Sequence, residues 1–172
     1  NWKDVRPGYP DRPLTLFGPG TDSGTFDYFT DVINGEEGAS RTDYTPSEDD
    51  NVLVQGVEGD EGALAYFGYA YYKENTDKLN LVGVDSGEGC VTPSDRTVQN
   101  GTYKPLSRPL FVYAKKASIG RPEVRAFLGF YLDNVNDIVG DVGYTPLSGE
   151  TLMGEREEFN EAAGGPSPGA SP

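Results

Sequence analysis

Gly18-Pro-Gly-Thr-Asp-Ser-Gly-Thr-Phe-Asp-Tyr-Phe29 places small and hydroxyl-bearing residues directly ahead of a segment with helical spacing, and a backbone of that kind can hold an oxyanion. Pro19, Gly20 and Gly24 punctuate the loop. Phe26, Phe29, Val32 and Ile33 recur at three- and four-residue intervals, which predicts a short helix from about Thr25 with one apolar stripe. The first N–H groups of a helix lack intrahelical partners, and the macrodipole leaves about half a positive charge there. Gly24 lets a ligand approach the backbone closely, while Ser23 and Thr25 add hydroxyl donors. The same residues serve a second reading, in which Asp22 or Ser23 only caps the helix. Taken alone, the motif leaves both open.

Other chemistries suggested by such a loop fail on the rest of the chain. Ser23, within Asp22-Ser23-Gly24, looks like a serine-hydrolase nucleophile, yet it would need a general base and the chain contains no histidine. No lysine stands in a recognisable Ser-Lys arrangement. A nucleotide-binding P-loop needs a lysine after its last glycine, whereas Gly24 is followed by Thr25 and Phe26, so nucleotide hydrolysis is not expected. Cys90 is the single cysteine, which leaves no internal disulfide and no thiolate cluster; no metal and no cofactor are expected. Glu48-Asp49-Asp50 has the ligand type for Ca²⁺ or Mg²⁺ but not the spacing of an EF-hand loop. Ser47-x-x-Asp50 instead predicts a capping-box variant, with acids in the first turn of a helix through Val52, Leu53 and Val57.

The elements that must position the loop are alternating strands and helices. Leu14–Phe17 reads as the strand leading into it, Gly62–Phe67 as a short buried strand, Tyr69–Asn75 as a helix and Leu79–Val84 as another strand. A glycine-rich turn carries Cys90, and Thr97–Gln99 form a brief helix that Gly101 stops. Leu110–Ala114 reads as a third clear strand. Arg121–Val139 is the most convincing helix, with Pro122 in its first turn and Val124, Phe127, Leu128, Tyr131, Leu132 and Val135 drawing an apolar face expected to be core. A last amphipathic helix runs from about Glu150 to Ala162, and 164–172 is expected to be a disordered tail. The alternation gives an α/β architecture without internal repeats.

Composition bounds the partners. The chain has 172 residues, 23 of them glycine and 13 proline, and carries a net charge of -14 from 28 acidic and 14 basic residues. That length supports one core with many turns. The acidic balance argues against nucleic acid and anionic membrane surfaces, which demand clustered lysine and arginine, so any anion site must act locally through short-range hydrogen bonds. No stretch is apolar enough to span a bilayer. The chain opens at Asn1-Trp2-Lys3-Asp4 without the basic and apolar regions of a signal peptide, which fits a mature form, a trimmed form or an internal fragment alike.

Several blocks then resemble one family in its order: the Gly18–Phe29 loop and helix, Ser40-Arg-Thr-Asp-Tyr44 with Ser47–Val57, Gly62–Tyr71, and Val91-Thr-Pro-Ser94 through Gly101–Phe111. They resemble the phosphate-binding proteins of bacterial ABC-type phosphate importers over residues 1 to about 147; the last helix and the Pro-Ser tail lie outside the match. The resemblance implies a two-lobed, hinged periplasmic-binding-protein-like fold of type II, α/β, with a mixed sheet flanked by helices. Family members are considerably longer, with the S-G-T loop near their middle, so this chain looks like a C-terminal half. On that basis 12–107 would form the second lobe, 108–163 a return segment belonging to the first lobe, and 164–172 a tail.

By carry-over, Ser23, Gly24 and Thr25 would bind phosphate through hydroxyls and helix N-terminal amides. In some members an arginine stands four residues before the serine; here Pro19 occupies that place, and Arg41 is the replacement candidate, against a reading as a solvated surface residue. A carboxylate is expected too, because phosphate at neutral pH can donate a proton and sulfate cannot. Asp22 and Asp43 are the candidates, with cap or turn roles as the alternative. Arg108 reads as a hinge or crossover residue. The implied function is high-affinity binding of inorganic phosphate for ABC-transporter uptake, without catalysis. The partner would be a membrane permease, the protein a monomer, and its location periplasmic or extracytoplasmic, with a cell-surface anchor as an option. Two alternatives are a serine-dependent phosphoester hydrolase and an interaction module that keeps the fold without the ligand.

Overall fold

The computed structural model describes residues 1–164, which divide into two compact units: Asn1–Pro93 with Lys104–Leu106, and Ser94–Tyr103 with Ser107 onward. The first unit opens with a single helical turn, α1 (Trp2–Val5), capped by the Asn1 side chain. Its centre is a parallel sheet of β1 (Thr15–Pro19), β2 (Thr45–Ser47) and β3 (Ala63–Ala65) in the order β2-β1-β3. Phe17 stands opposite Thr45 on one side and Ala65 on the other. The chain leaves β1 through α2 (Gly24–Phe29), which runs on into a wider helical segment, Thr30–Asn34, and leaves β2 through α3 (Asp50–Gly59). These are the crossovers that parallel pairing requires.

Apolar spacing explains the packing. Leu53 and Val54 of α3 and Phe26 of α2 are buried. Gly56 lies against the Phe17 ring so closely that a Cβ would meet it at 2.4 Å, which lets α3 settle directly on β1. The expected strand before the loop is present, extended through Pro19. β2 escaped the sequence reading because Pro46 and the acids after it signal a turn.

Past β3, α4 (Tyr69–Lys73) forms where a helix was expected. The strand expected over Leu79–Val84 is corrected to Val84–Asp85, β4, which pairs antiparallel with β5 (Cys90–Val91). The cause is local: the Lys78 and Leu79 N–H groups close a turn on the Asn75 carbonyl, and Leu79 is a buried anchor. Cys90 lies in a strand rather than a turn. The turn precedes it, pinned by Asp85 Oδ1, which accepts from Gly87 N and Gly89 N.

The second unit is helical. α5 (Asp95–Gln99) begins with a reciprocal Ser94/Thr97 capping box, α6 spans Pro122–Ile138, and α7 spans Gly149–Ala162 behind the Ser148 cap. Asn136 clasps Leu147, accepting from its N–H and donating to its carbonyl. Arg156 of α7 donates to the Leu132 carbonyl. Two expectations are corrected here. Leu110–Ala114 is not a strand: Leu110 is 70% and Tyr113 87% exposed, and no strand among the described residues pairs with the segment, so its β propensity has no ladder to act on. Nor is the α6 face a buried core, since only Val135 is buried and Phe127 remains 63% exposed. The expected tail, beyond Gly164, lies outside the described residues.

Candidate functional site

The end of β1 delivers the loop. Pro19 is fully buried, and its carbonyl accepts from the Tyr44 hydroxyl at 3.0 Å. Gly20 N donates to the Ser47 carbonyl and Ser23 N to the Gly20 carbonyl, so the turn closes on itself while hanging from β2. Behind it Tyr66 stacks on Phe29 with ring centroids 3.8 Å apart; burial and the neighbouring Tyr44 push its phenol up to about 12. Gly18 fits where it does because a Cβ would come within 2.9 Å of the Tyr66 ring.

Ser23 is the N-cap of α2. Its hydroxyl accepts from Thr25 N at 3.2 Å and its carbonyl accepts from Asp27 N at 3.1 Å. The capping reading of the motif is thus realised, with Ser23 rather than Asp22 as the cap. Ser23 and Thr25 are half-buried, whereas Asp22 and Gly24 are exposed. Further along, the buried Thr30 hydroxyl donates to the Phe26 carbonyl and accepts from Gly38 N, each at 2.8 Å. That bond fixes the 36–39 turn, where Gly35 and Gly38 take the left-handed backbone that glycine adopts without strain.

Beside the loop lies an open groove of about 510 Å³, lined in part by Gly20, Thr21, Arg41, Tyr44, Ser47 and Glu48. Arg41 therefore reaches the same end of the sheet as the loop, and Ser23, Gly24 and Thr25 stand at the helix start outside the groove's lining. Arg41 is paired: its Nε and Nη2 donate to the two Asp43 oxygens at 2.5 and 2.6 Å. These hydrogen bonds raise the guanidinium pKa and hold the Asp43 carboxyl below its usual range. Both side chains are exposed, so the pair organises direction more than it contributes stability. The Asp22 side chain stays outside the groove's lining, but its N–H donates to Glu48 Oε1 at 3.3 Å.

Glu48 lines the groove although its place in the Ser47–Asp50 run reads in the sequence as that of a first-turn acid. The cap expected from Ser47 to Asp50 is corrected: Asp49 is the N-cap, bonded to Asn51 N, and the Ser47 hydroxyl accepts from Asp49 N. Asp50 turns away to accept from Gly68 N. Burial pushes its carboxyl up against that hydrogen bond, with Asp49 and Glu48 adding to the rise. Among the described residues, no group of acids, cysteine or histidine is arranged to hold a metal, and no helix is long and apolar enough to cross a membrane.

A family model described as the PBP superfamily domain matches residues 1–135. The protein SphX of Synechocystis sp. is 50% identical over 162 residues, 93% of this chain and 48% of that protein. The phosphate-binding protein PstS of Staphylococcus haemolyticus is 34% identical over 162 residues, 93% of this chain and 50% of that protein. The chain thus spans about half the length of the curated relatives it matches. Among solved structures, a possible phosphate binding protein from Planctomyces limnophilus superimposes with a TM-score of 0.85 at 47% identity, covering 94% of this chain and 58% of that one. PstS from Borrelia burgdorferi, at 23% identity and a TM-score of 0.61, shares the fold, with 86% of this chain and 58% of that one covered. With its parallel sheet flanked by helices, and a family match over most of its length, the chain belongs to the PBP superfamily.

Proposed function

We propose that this chain carries the phosphate-holding loop of a solute-binding protein serving an ABC phosphate importer. The observation that carries the reading is the S-G-T motif at the start of α2 with the Arg41 guanidinium at the same end of the sheet, in a chain 47% identical to a possible phosphate binding protein. Ser23, Gly24 and Thr25 supply hydroxyl and amide donors, and Arg41 supplies charge-assisted hydrogen bonds about twice as strong as neutral ones. Asp43 aims Arg41, and Asp22 borders the loop as a further acceptor. The Ser23 hydroxyl accepts from Thr25 N and has its own proton to donate to the anion, so capping and anion holding are compatible in one motif.

Residues 12–107 form one lobe of the binding fold, and 108–163 return to the other. The exposed Leu110–Tyr113 and the exposed Phe127 and Phe130 supply apolar surface for that second assembly. The protein acts outside the cytoplasm as a monomer, delivers phosphate to a membrane permease, and does not turn substrate over. Isothermal titration of phosphate into the polypeptide as its gene encodes it, with sulfate as control, tests this. Micromolar or tighter phosphate binding with little sulfate binding is expected. Binding of neither anion overturns the reading and leaves a fold-retaining interaction module.

A further inference from the structure

We propose that Asn34 is a positioning residue for the anion, because its side-chain amide holds the segment that brings the Arg41 guanidinium to the groove; the inference rests on the phosphate reading above. Gly38, Ser40 and Arg41 contribute to the groove's lining, and Asn34 stands outside it. Its effect on a ligand runs through Arg41.

The segment needs holding. Gly35 and Gly38 both take the left-handed backbone, with φ of 81° and 79°, so the stretch between the helical segment Thr30–Asn34 and Arg41 turns on its most permissive residues. The next point fixed by the sheet is Thr45, opposite Phe17. Arg41 therefore lies in a span whose entry is set by side chains and not by a ladder.

Two side chains of the helical segment set that entry. The Thr30 hydroxyl accepts from Gly38 N at 2.8 Å, and Asn34 Nδ2 donates to the Ala39 carbonyl at 2.6 Å. Together they engage a donor and an acceptor on consecutive residues, which fixes the direction in which the chain leaves Ala39 for Ser40 and Arg41. Asp43 aims the guanidinium, but a partner two residues away travels with the same loop and cannot place it against the S-G-T motif. Asn34 can, because Thr30–Asn34 continues α2, and α2 starts at that motif. One helical run thus carries the anion-holding amides at its start and the tether of the guanidinium at its end.

The two tethers differ in kind. Thr30 is fully buried and serves the fold as well, whereas Asn34 is exposed. When the Asn34 amide is removed, the Ala39 carbonyl can turn to water, so what is lost is the direction of the chain and not a packed contact. An arginine that must be ordered at the moment of binding holds its anion less tightly than one already in place.

The test is titration of inorganic phosphate into the polypeptide as encoded, for wild type, Asn34→Ala, Arg41→Ala and the double variant. Asn34→Ala is expected to weaken binding about three- to tenfold, the range of one net hydrogen bond, and to add nothing further once Arg41 is alanine. A residue that served only the fold would weaken both backgrounds alike. Equal losses in the two backgrounds therefore overturn the positioning role, as does unchanged affinity in Asn34→Ala, and in both cases the phosphate reading stands. Unchanged affinity in Arg41→Ala also overturns it, leaving phosphate to the S-G-T loop. Wild-type protein that does not bind phosphate overturns the phosphate reading and this inference with it.

Discussion

Thr30 and Gly38 are joined through one buried hydroxyl, which accepts from Gly38 N and donates to the Phe26 carbonyl at 2.8 Å each. A single oxygen therefore ties the helix behind the S-G-T loop to the turn that leads into Ser40 and Arg41. The two flanks of the groove share that tie.

Thr30→Val preserves shape and removes the tie. Gly38 N would be left without its partner at a fully buried side chain, so destabilisation of about 1 to 3 kcal/mol is expected in urea unfolding, while Thr30→Ser should recover part of it. A valine variant as stable as wild type would show that the turn is held some other way.

Tyr44→Phe addresses the root of the loop. The Tyr44 hydroxyl donates to the carbonyl of the fully buried Pro19, and a phenylalanine ring keeps the packing while leaving that carbonyl unpaired. A loss of about 1 kcal/mol is expected, read as a lower unfolding midpoint with an unchanged m-value.

The sequence made local features legible and tertiary ones less so. Pro122 and the apolar spacing behind it mark α6 within a residue at each end, and the S-G-T motif marks the start of α2, because capping and periodicity are properties of a few neighbouring residues. Leu-Phe-Val-Tyr at 110–113 has strand composition, but a strand exists only when another pairs with it, and the described residues supply none. The α6 face misled for the same reason: periodicity says which residues could be buried together, not whether anything covers them. Glu48 stayed hidden because its place in the groove follows from the register of β2 on β1, which no motif encodes.

Asp50 gives a pH-dependent signature. Burial raises its carboxyl pKa, so the folded state binds that proton more tightly than the unfolded chain does. The associated stability is fully present below the unfolded carboxyl value of about 3.9 and is lost as pH rises through the folded one. Asp50→Asn keeps an oxygen for Gly68 N and carries no charge. It is expected to be no less stable than wild type at pH 7, with a relative advantage that shrinks towards pH 3. Chemical denaturation of both proteins across that range checks the sign; an advantage that grows on acidification would refute it.

Arg41 and Asp43 separate charge from aim. Arg41→Ala removes the groove's guanidinium and is expected to weaken phosphate binding by about 10- to 100-fold, in the range of charge-assisted hydrogen bonds at about 1.5 to 3 kcal/mol. Asp43→Asn leaves the charge but loosens the two-pronged grip on it, so a smaller loss in the same direction is expected. Titration calorimetry on the pair distinguishes them. Unchanged affinity in Arg41→Ala would make this a solvated surface ion pair.

Thr25 separates the anion-holding role of the loop from its capping role. Its N–H is taken by the Ser23 hydroxyl, and its side chain is not needed for the cap. Thr25→Val should therefore leave the unfolding midpoint nearly unchanged while removing one hydroxyl donor from the anion, with phosphate binding weaker by about 1 to 3 kcal/mol. Ser23→Ala, by contrast, loses the cap as well as a donor, and both stability and affinity are expected to fall, the former by about 1 kcal/mol. Equal behaviour of the two variants, with stability lost in both and affinity in neither, would mean that the motif serves only to start the helix.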